Sequence, residues 1–427
     1  MDTQTLSPET SAERLIWHSI RLTYGFYLLG AVYLVAPVLG WSLLLAQGWK
    51  LLRRPAPLPG PGALPVAVRW WLGGMLLMLV ALVVGHLQQQ LGTTQLIKST
   101  IGWAKGWALL AVFPLLGCLN IRPAIVYRAC MHVCLHTLLL LPVFVGAWLV
   151  GLPQTLYVSP LQAVGGPGPE FFAVSLYEID PGSGLPRWRL FTPWAPALGF
   201  MANIFFVFAL QEQSRRWRAV GVSASVLMAL MSASRLALVA ILSIWIISGI
   251  ISRLRSPLTP FVAAAGCTLA GLLGHPLLTA AEQFWQSFRS ARAGSTRVRE
   301  TLARIALDRW QTEAFTWGHG VVERGPHLVE FMPIGSHHSW YGLLFVKGLV
   351  GALALAGPLL LSLVQLAWWS GVLPLARVGL AMGLLLLMYT FGENLEILAY
   401  LIWPALLIIG RAHHGIVYAR PSSLHPS

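Results

Sequence analysis

The chain has 427 residues, of which 56% are hydrophobic and only 10% charged, with a mean hydropathy of +0.68. So few charges could not solvate a soluble surface of this size, so a soluble fold is excluded and a polytopic membrane protein is indicated. The net charge of +14 lies in short basic clusters between apolar runs, the pattern of orientation signals, and gives nucleic-acid binding no support.

The predicted fold is an all-α transmembrane bundle of about eleven spans, with ten to twelve compatible with the apolar runs. Residues 1–151 hold four spans, at Tyr24 to Gln47, Val66 to Gly85, Ile101 to Leu119 and Ala129 to Gly151. A stiff Pro/Gly connector, Pro55 to Gly62, follows the first of them. Residues 152–194 leave the bilayer, with turn chemistry at Gly165 to Pro169 and Asp180 to Gly184 and a short strand or helix between. Residues 195–280 carry the core spans at Pro196 to Leu210, Ala219 to Ser232, Leu236 to Ile251 and Leu258 to Ala280. A second loop fills 281–338, and 339–427 holds the last spans (Trp340 to Trp368, Gly371 to Phe391, Leu395 to Gly410) and a short tail.

The basic clusters at Lys50/Arg53/Arg54, Arg122/Arg128, Arg215/Arg216/Arg218, Arg253/Arg255, Arg377 and Arg411/Arg420 fall at alternate turns, which places them together in the cytoplasm and turns both long loops outward. Nineteen Trp fit aromatic belts at two interfaces. The four cysteines lie in apolar segments and read as core residues, not a disulfide framework. Met1 to Trp17 is polar, and no cleavable signal peptide is expected.

Within the second loop, Thr296 to Trp310 has the period of an amphipathic helix, with Val298, Leu302, Ile305 and Ala306 on one face and Arg297, Glu300, Arg304 and Asp308 on another. Such a helix is expected along the membrane surface over the bundle mouth. Six arginines between Arg289 and Arg309 break the charge asymmetry seen elsewhere. Their planar forks suit a diphosphate; anionic lipid and i,i+4 pairing with Glu300 and Asp308 are the structural alternative. Arg235, closing Ser232-Ala233-Ser234-Arg235 at a span end, fits snorkelling to headgroups or an inward anion site. His337 and His338 open the ninth span, where imidazole suits proton transfer from a hydroxyl near neutral pH or simple helix capping. Cys130, His132, Cys134 and His136 cannot form a four-way metal site, because the histidines and cysteines lie on nearly opposite helix faces.

Three motifs together resemble the O-antigen ligase and O-antigen polymerase superfamily. They are Ser232-Ala233-Ser234-Arg235 at a span start, Arg299 about twenty residues before Gly318-His319-Gly320, and His337 leading through an apolar run to Gly348 and Gly351. Arg189-Leu190-Phe191-Thr192-Pro193-Trp194 is similar to the family's Arg, Phe and Pro stretch. The chain departs from the usual His-Asn in having His337-His338 or His338-Ser339 there. Spacing to Gly348 favours His337, and the position of Tyr341 favours His338.

The resemblance implies a GT-C-like, metal-independent glycosyltransferase of the bacterial inner membrane, with both long loops periplasmic and no cofactor. It implies a glycan donor linked to undecaprenyl diphosphate, a lipid- or glycan-linked acceptor hydroxyl, and surrounding membrane lipids as partners. Arg235 and Arg299, then Arg297 and Arg189, would hold the diphosphate, and His337 or His338 would take the proton. Ligase and polymerase are both compatible with the sequence. A secondary transporter is the competing class, for which Glu393 and Glu396 are the only acidic residues of the late spans.

Overall fold

The computed structural model describes residues 6–53, 64–180, 184–254, 256–290, 293–329, 331–335 and 338–419. Three helices form the opening pair of passes: α1 (Ser11–Arg21), α2 (Thr23–Leu28) and α3 (Val32–Arg53). At one end Glu13 is buried against Arg122, accepting from its backbone N (3.0 Å), Nε (2.9 Å) and Nη2 (2.8 Å). Further along, Tyr24 meets Thr137 (2.9 Å) and Tyr27 donates to Ser175 O (2.6 Å). At the far end Gly30 turns the chain at φ +64°, where a Cβ would lie 2.4 Å from Ser159 Cβ, so only glycine fits.

The stretch expected as one span, Tyr24 to Gln47, is therefore divided at Gly30 into the end of an outgoing pass and most of a returning one. Sequence patterning misses the outgoing pass because Glu13, Arg14 and Arg21 make its first half polar. Pairing with Arg122 satisfies Glu13 inside the bundle.

The chain continues through α4 (Val66–Gln88), α5 (Thr93–Lys105), α6 (Leu109–Gly117) and α7 (Pro123–Leu149). The expected third span is broken at Gly106, where the backbone leaves the helical region (φ −118°, ψ −94°). The 152–194 loop forms two small antiparallel sheets, β1 (Thr155–Val158) with β2 (Ala173–Ser175), and β3 (Glu178–Ile179) with β4 (Pro186–Arg187). Then follow α8 (Ala195–Leu210), α9 (Arg215–Met231), α10 (Arg235–Arg253), α11 (Thr259–Ser290), α12 (Ala293–Glu313), α13 (Ser339–Trp369), α14 (Pro374–Tyr389) and α15 (Leu395–Ala419).

Among the described residues seven helices are long and apolar enough to cross a membrane: α3, α4, α5 with α6, α7, α10, α13 and α15; α8 and α14 are apolar but shorter. The axis of the bundle is α15, whose apolar window is 83% buried against 28–61% for the other six. Gly117 and Gly410 let α6 and α15 touch backbone to backbone, since a Cβ on Gly410 would meet Pro114 O at 2.0 Å. By contrast α11 leaves Phe261, Val262, Leu269 and Leu272 largely exposed, as a helix facing lipid does.

The ends of the bundle differ. One gathers Arg128 paired with Glu212 (2.8 Å), the α8–α9 connection, the end of α10 and the α13–α14 turn. The other gathers the starts of α8, α10, α13 and α15 with the ends of α9 and α14.

Candidate functional site

At this second end the turn Ser232–Ser234 joins α9 to α10. Ser232 Oγ accepts from Ser234 N (3.2 Å) and donates to Ala229 O (2.7 Å), while Ser234 caps α10 through Ala237 N (3.4 Å). Ala233 is held at φ +48°, a conformation that disfavours a Cβ. This turn makes Arg235 the first residue of α10, half-buried at the bundle mouth. Its neighbour Leu236 packs on Gly392, where a Cβ would lie 2.9 Å from Leu236 Cδ2.

The start of α13 is pinned to the same α14–α15 turn. Ser339 N donates to Thr390 O (3.0 Å), Ser339 Oγ donates to Glu393 O (2.7 Å) and accepts from Leu395 N (3.0 Å), and Trp340 Nε1 donates to Thr390 Oγ1 (2.8 Å). His338 caps α13: its Nδ1 accepts from Tyr341 N (3.4 Å), and its ring stacks on Tyr341 with centroids 4.0 Å apart. Burial, and then the charge of Arg299, hold the His338 imidazole down to about 4. With Nδ1 accepting, the neutral ring carries its hydrogen on Nε2, so His338 is a hydrogen-bond donor to the site, not a base. His337 lies outside the described residues.

Glu393 completes this cluster. It is 6% exposed, and Trp194 Nε1 donates to its Oε2 (3.0 Å). Burial pushes its carboxyl up to about 7, with the Arg299 charge and the Trp194 hydrogen bond only partly opposing. A buried carboxyl that titrates near neutral pH suits general acid–base chemistry. In the sequence Glu393 stands only as an acid of the late spans. The usable signal was Gly392-Glu393-Asn394 itself, an acidic turn between two apolar helices in a chain with 15 acidic residues.

Arg299 comes from α12. The expected apolar face is present: Val298, Leu302 and Ala306 are buried, Ile305 is half-buried, and they pack with Val329, Ile334 and Phe345. That face rests on α13 and its preceding loop. The polar face is exposed, and there the guanidinium groups of Arg297 and Arg299 have no hydrogen-bond or ion-pair partner among the described residues. Two positions apart on a helix, they point about 200° from one another, so one phosphate cannot take both easily. Arg309 is instead committed: it bridges Glu313 (2.8 Å) and Glu323 (2.6 Å).

The Gly318-His319-Gly320 turn is a structural splice. At Gly348 (φ +64°, ψ −165°) α13 breaks, freeing Phe345 O and Val346 O. His319 N (2.8 Å) and Gly320 N (2.9 Å) donate to these carbonyls, while Leu349 N and Val350 N donate back to Phe315 O and Thr316 O. His319 further bonds Phe345 O through Nδ1 (3.0 Å) and Glu313 through Nε2 (2.9 Å). This lock fixes α12, and with it Arg299, over the mouth.

Arg189 sits elsewhere in its chemistry. It is buried, donates from Nη1 to Pro193 O (2.5 Å), and its Nε lies 3.5 Å from Glu178 Oε1. Nη1 and the charge thus fasten the 152–194 loop beside Trp194, the residue that bonds Glu393, while Nε makes no hydrogen bond among the described residues. Of the six residues singled out from sequence, His338 and Arg235 lie by the α14–α15 turn, the Arg299 charge reaches His338 without a direct contact, Arg297 and Arg189 have other surroundings, and His337 is outside the described residues. Among the described residues no group of three or more histidine, cysteine or acidic side chains is placed to hold a metal ion.

Fold and site together define a multi-pass membrane protein with a charged mouth at one end of a helical bundle. No family model matches the chain, and no curated protein matches it in sequence.

Proposed function

We propose that this protein is a glycosyltransferase of the bacterial inner membrane that moves a glycan from undecaprenyl diphosphate to an acceptor hydroxyl at the periplasmic face. The observation that carries the reading is a buried carboxyl, Glu393, and the donor face of His338 on one helix-joining turn, both within electrostatic reach of Arg299, whose guanidinium has no hydrogen-bond or ion-pair partner among the described residues. In the reaction the acceptor oxygen attacks the anomeric carbon as the sugar–phosphate C–O bond breaks. The hydroxyl proton passes to a base, and undecaprenyl diphosphate leaves with its negative charge neutralised by Arg299 and Arg235.

Diphosphate is already a good leaving group, so holding and neutralising it is the larger task. The base is Glu393 or His337; Glu393 is the better matched to pH 7 among the described residues. His338 Nε2–H would bond a phosphate or sugar oxygen.

Deleting the gene and extracting carrier-linked glycans tests the proposal. Accumulated polymer on the carrier makes the protein a ligase, and accumulated single repeats make it a polymerase. An unchanged carrier-lipid profile refutes glycan transfer. That last result would favour a transporter, a reading supported by Lys347, which is buried within α13 and interacts electrostatically with Glu396 of α15.

A further inference from the structure

A well-formed cavity lies at the basic end, away from the candidate site. It has a volume of about 600 Å³ and opens between the last turns of α8 and α10, the α13–α14 turn and the first turn of α14. Arg253, in the last turn of α10, and Arg377, in the first turn of α14, both line it, and no acidic side chain does. Neither guanidinium has a hydrogen-bond or ion-pair partner among the described residues. The Arg377 guanidinium lies across α10 where Gly249 leaves room: a Cβ there would stand 3.6 Å from Arg377 Nη2. The floor is firm, because Gly371 packs so closely on Ser252 O that a Cβ would be 2.7 Å from it. Val207, Leu210, Trp245 and Ala381 supply an apolar wall that runs from the arginines along the helices.

Two guanidiniums sharing a cavity with no counter-charge repel one another and favour an anion between them. Charge bookkeeping narrows the anion. The ends of α8, α10 and α13 turn partial negative charge toward the cavity and the start of α14 turns partial positive charge, a sum of about one negative unit at half a charge each. Set against two arginines, this leaves a surplus of about one positive charge, which one phosphodiester neutralises. The apolar wall beside the arginines matches the glycerol and upper acyl chain that a lipid phosphodiester brings with it.

The geometry points to a second ligand site at the basic end, formed by Arg253 and Arg377, that binds one phosphate-bearing anion, presented by a membrane lipid headgroup or free in solution. The site is independent of glycan transfer and would stand if that reading failed.

Thermal unfolding of the purified full chain in neutral detergent tests it, with phosphatidylglycerol, phosphatidylcholine or inorganic phosphate added. Wild-type protein should gain about 3 °C or more from phosphatidylglycerol over phosphatidylcholine. Arg253→Gln with Arg377→Gln should lose that gain, and Arg215→Gln with Arg216→Gln, which removes equal charge from the same end, should keep it. A gain from inorganic phosphate that matches phosphatidylglycerol, and is lost in the first double variant only, makes the natural ligand a soluble phosphate. If the first double variant does not fold, native mass spectrometry of Arg377→Lys decides: retention of phosphatidylglycerol should fall several-fold, since the ammonium lacks the fork. Equal stabilisation by both lipids, or an equal gain in both double variants, overturns the site.

Discussion

Glu393 and His338 are two ionisable groups whose surroundings push them opposite ways, and the difference makes the base identifiable. Glu393 titrates near 7 because it is buried, and His338 near 4 because it is half-buried beside the Arg299 charge. If Glu393 takes the acceptor proton, activity rises with pH through about 7 and Glu393→Gln lowers it by about a hundredfold or more. The remaining activity should lack that limb; a limb unmoved in Glu393→Gln but lost in His337→Ala assigns the base to His337. The same shift has a sign in stability. A carboxyl raised above its unfolded value of 4.5 stabilises the fold fully below that pH, and the contribution is lost as pH rises through about 7. Glu393→Gln should therefore flatten the fall in Tm between pH 5 and 8, an effect on the order of 3 kcal/mol read by thermal unfolding. Arg299 was legible because an outward arginine cluster breaks the charge pattern of the other loops. Glu393 was not, because a single acid in a short turn carries no period and its importance comes from burial, which only packing creates.

At the scale of elements, the splice between Gly318-His319-Gly320 and the break in α13 holds Arg299 in place. Gly348 combines a positive φ with a site where a Cβ would lie 2.3 Å from Thr316 O. Gly348→Ala should lower stability by more than about 2 kcal/mol, whereas Gly73→Ala, where nothing lies within 4 Å of the added atom, should be neutral or slightly stabilising. Thermal unfolding of the two variants compares them directly. Regular helices were readable from sequence where apolar period and length agree: α12 has its buried face at the residues its spacing predicts, and α4, α8, α10 and α13 lie close to their apolar runs. The break in α13 was not readable. A glycine inside an apolar run has the same local signature in a continuous helix as in a broken one, and the partner that satisfies the freed carbonyls comes from about thirty residues earlier.

Over the whole molecule, the two ends of the bundle are chemically different. The outgoing pass of α1 and α2 sets the start of the described chain at the basic end with Arg122, and the candidate site at the other. In a background with the exposed Cys267 replaced by serine, cysteines at Leu185 and Leu328 should react with an impermeant thiol reagent in intact spheroplasts. A cysteine at Leu254 should react only after lysis; the reverse pattern would put the candidate mouth in the cytoplasm and remove the periplasmic assignment.

The most direct test of glycan transfer is release of undecaprenyl diphosphate by purified protein given a carrier-linked glycan and its acceptor. Release should depend on the acceptor, fall about tenfold or more in Arg299→Lys, and be nearly abolished in Glu393→Gln. No acceptor-dependent release by the wild-type protein, or equal release by both variants, would contradict the account.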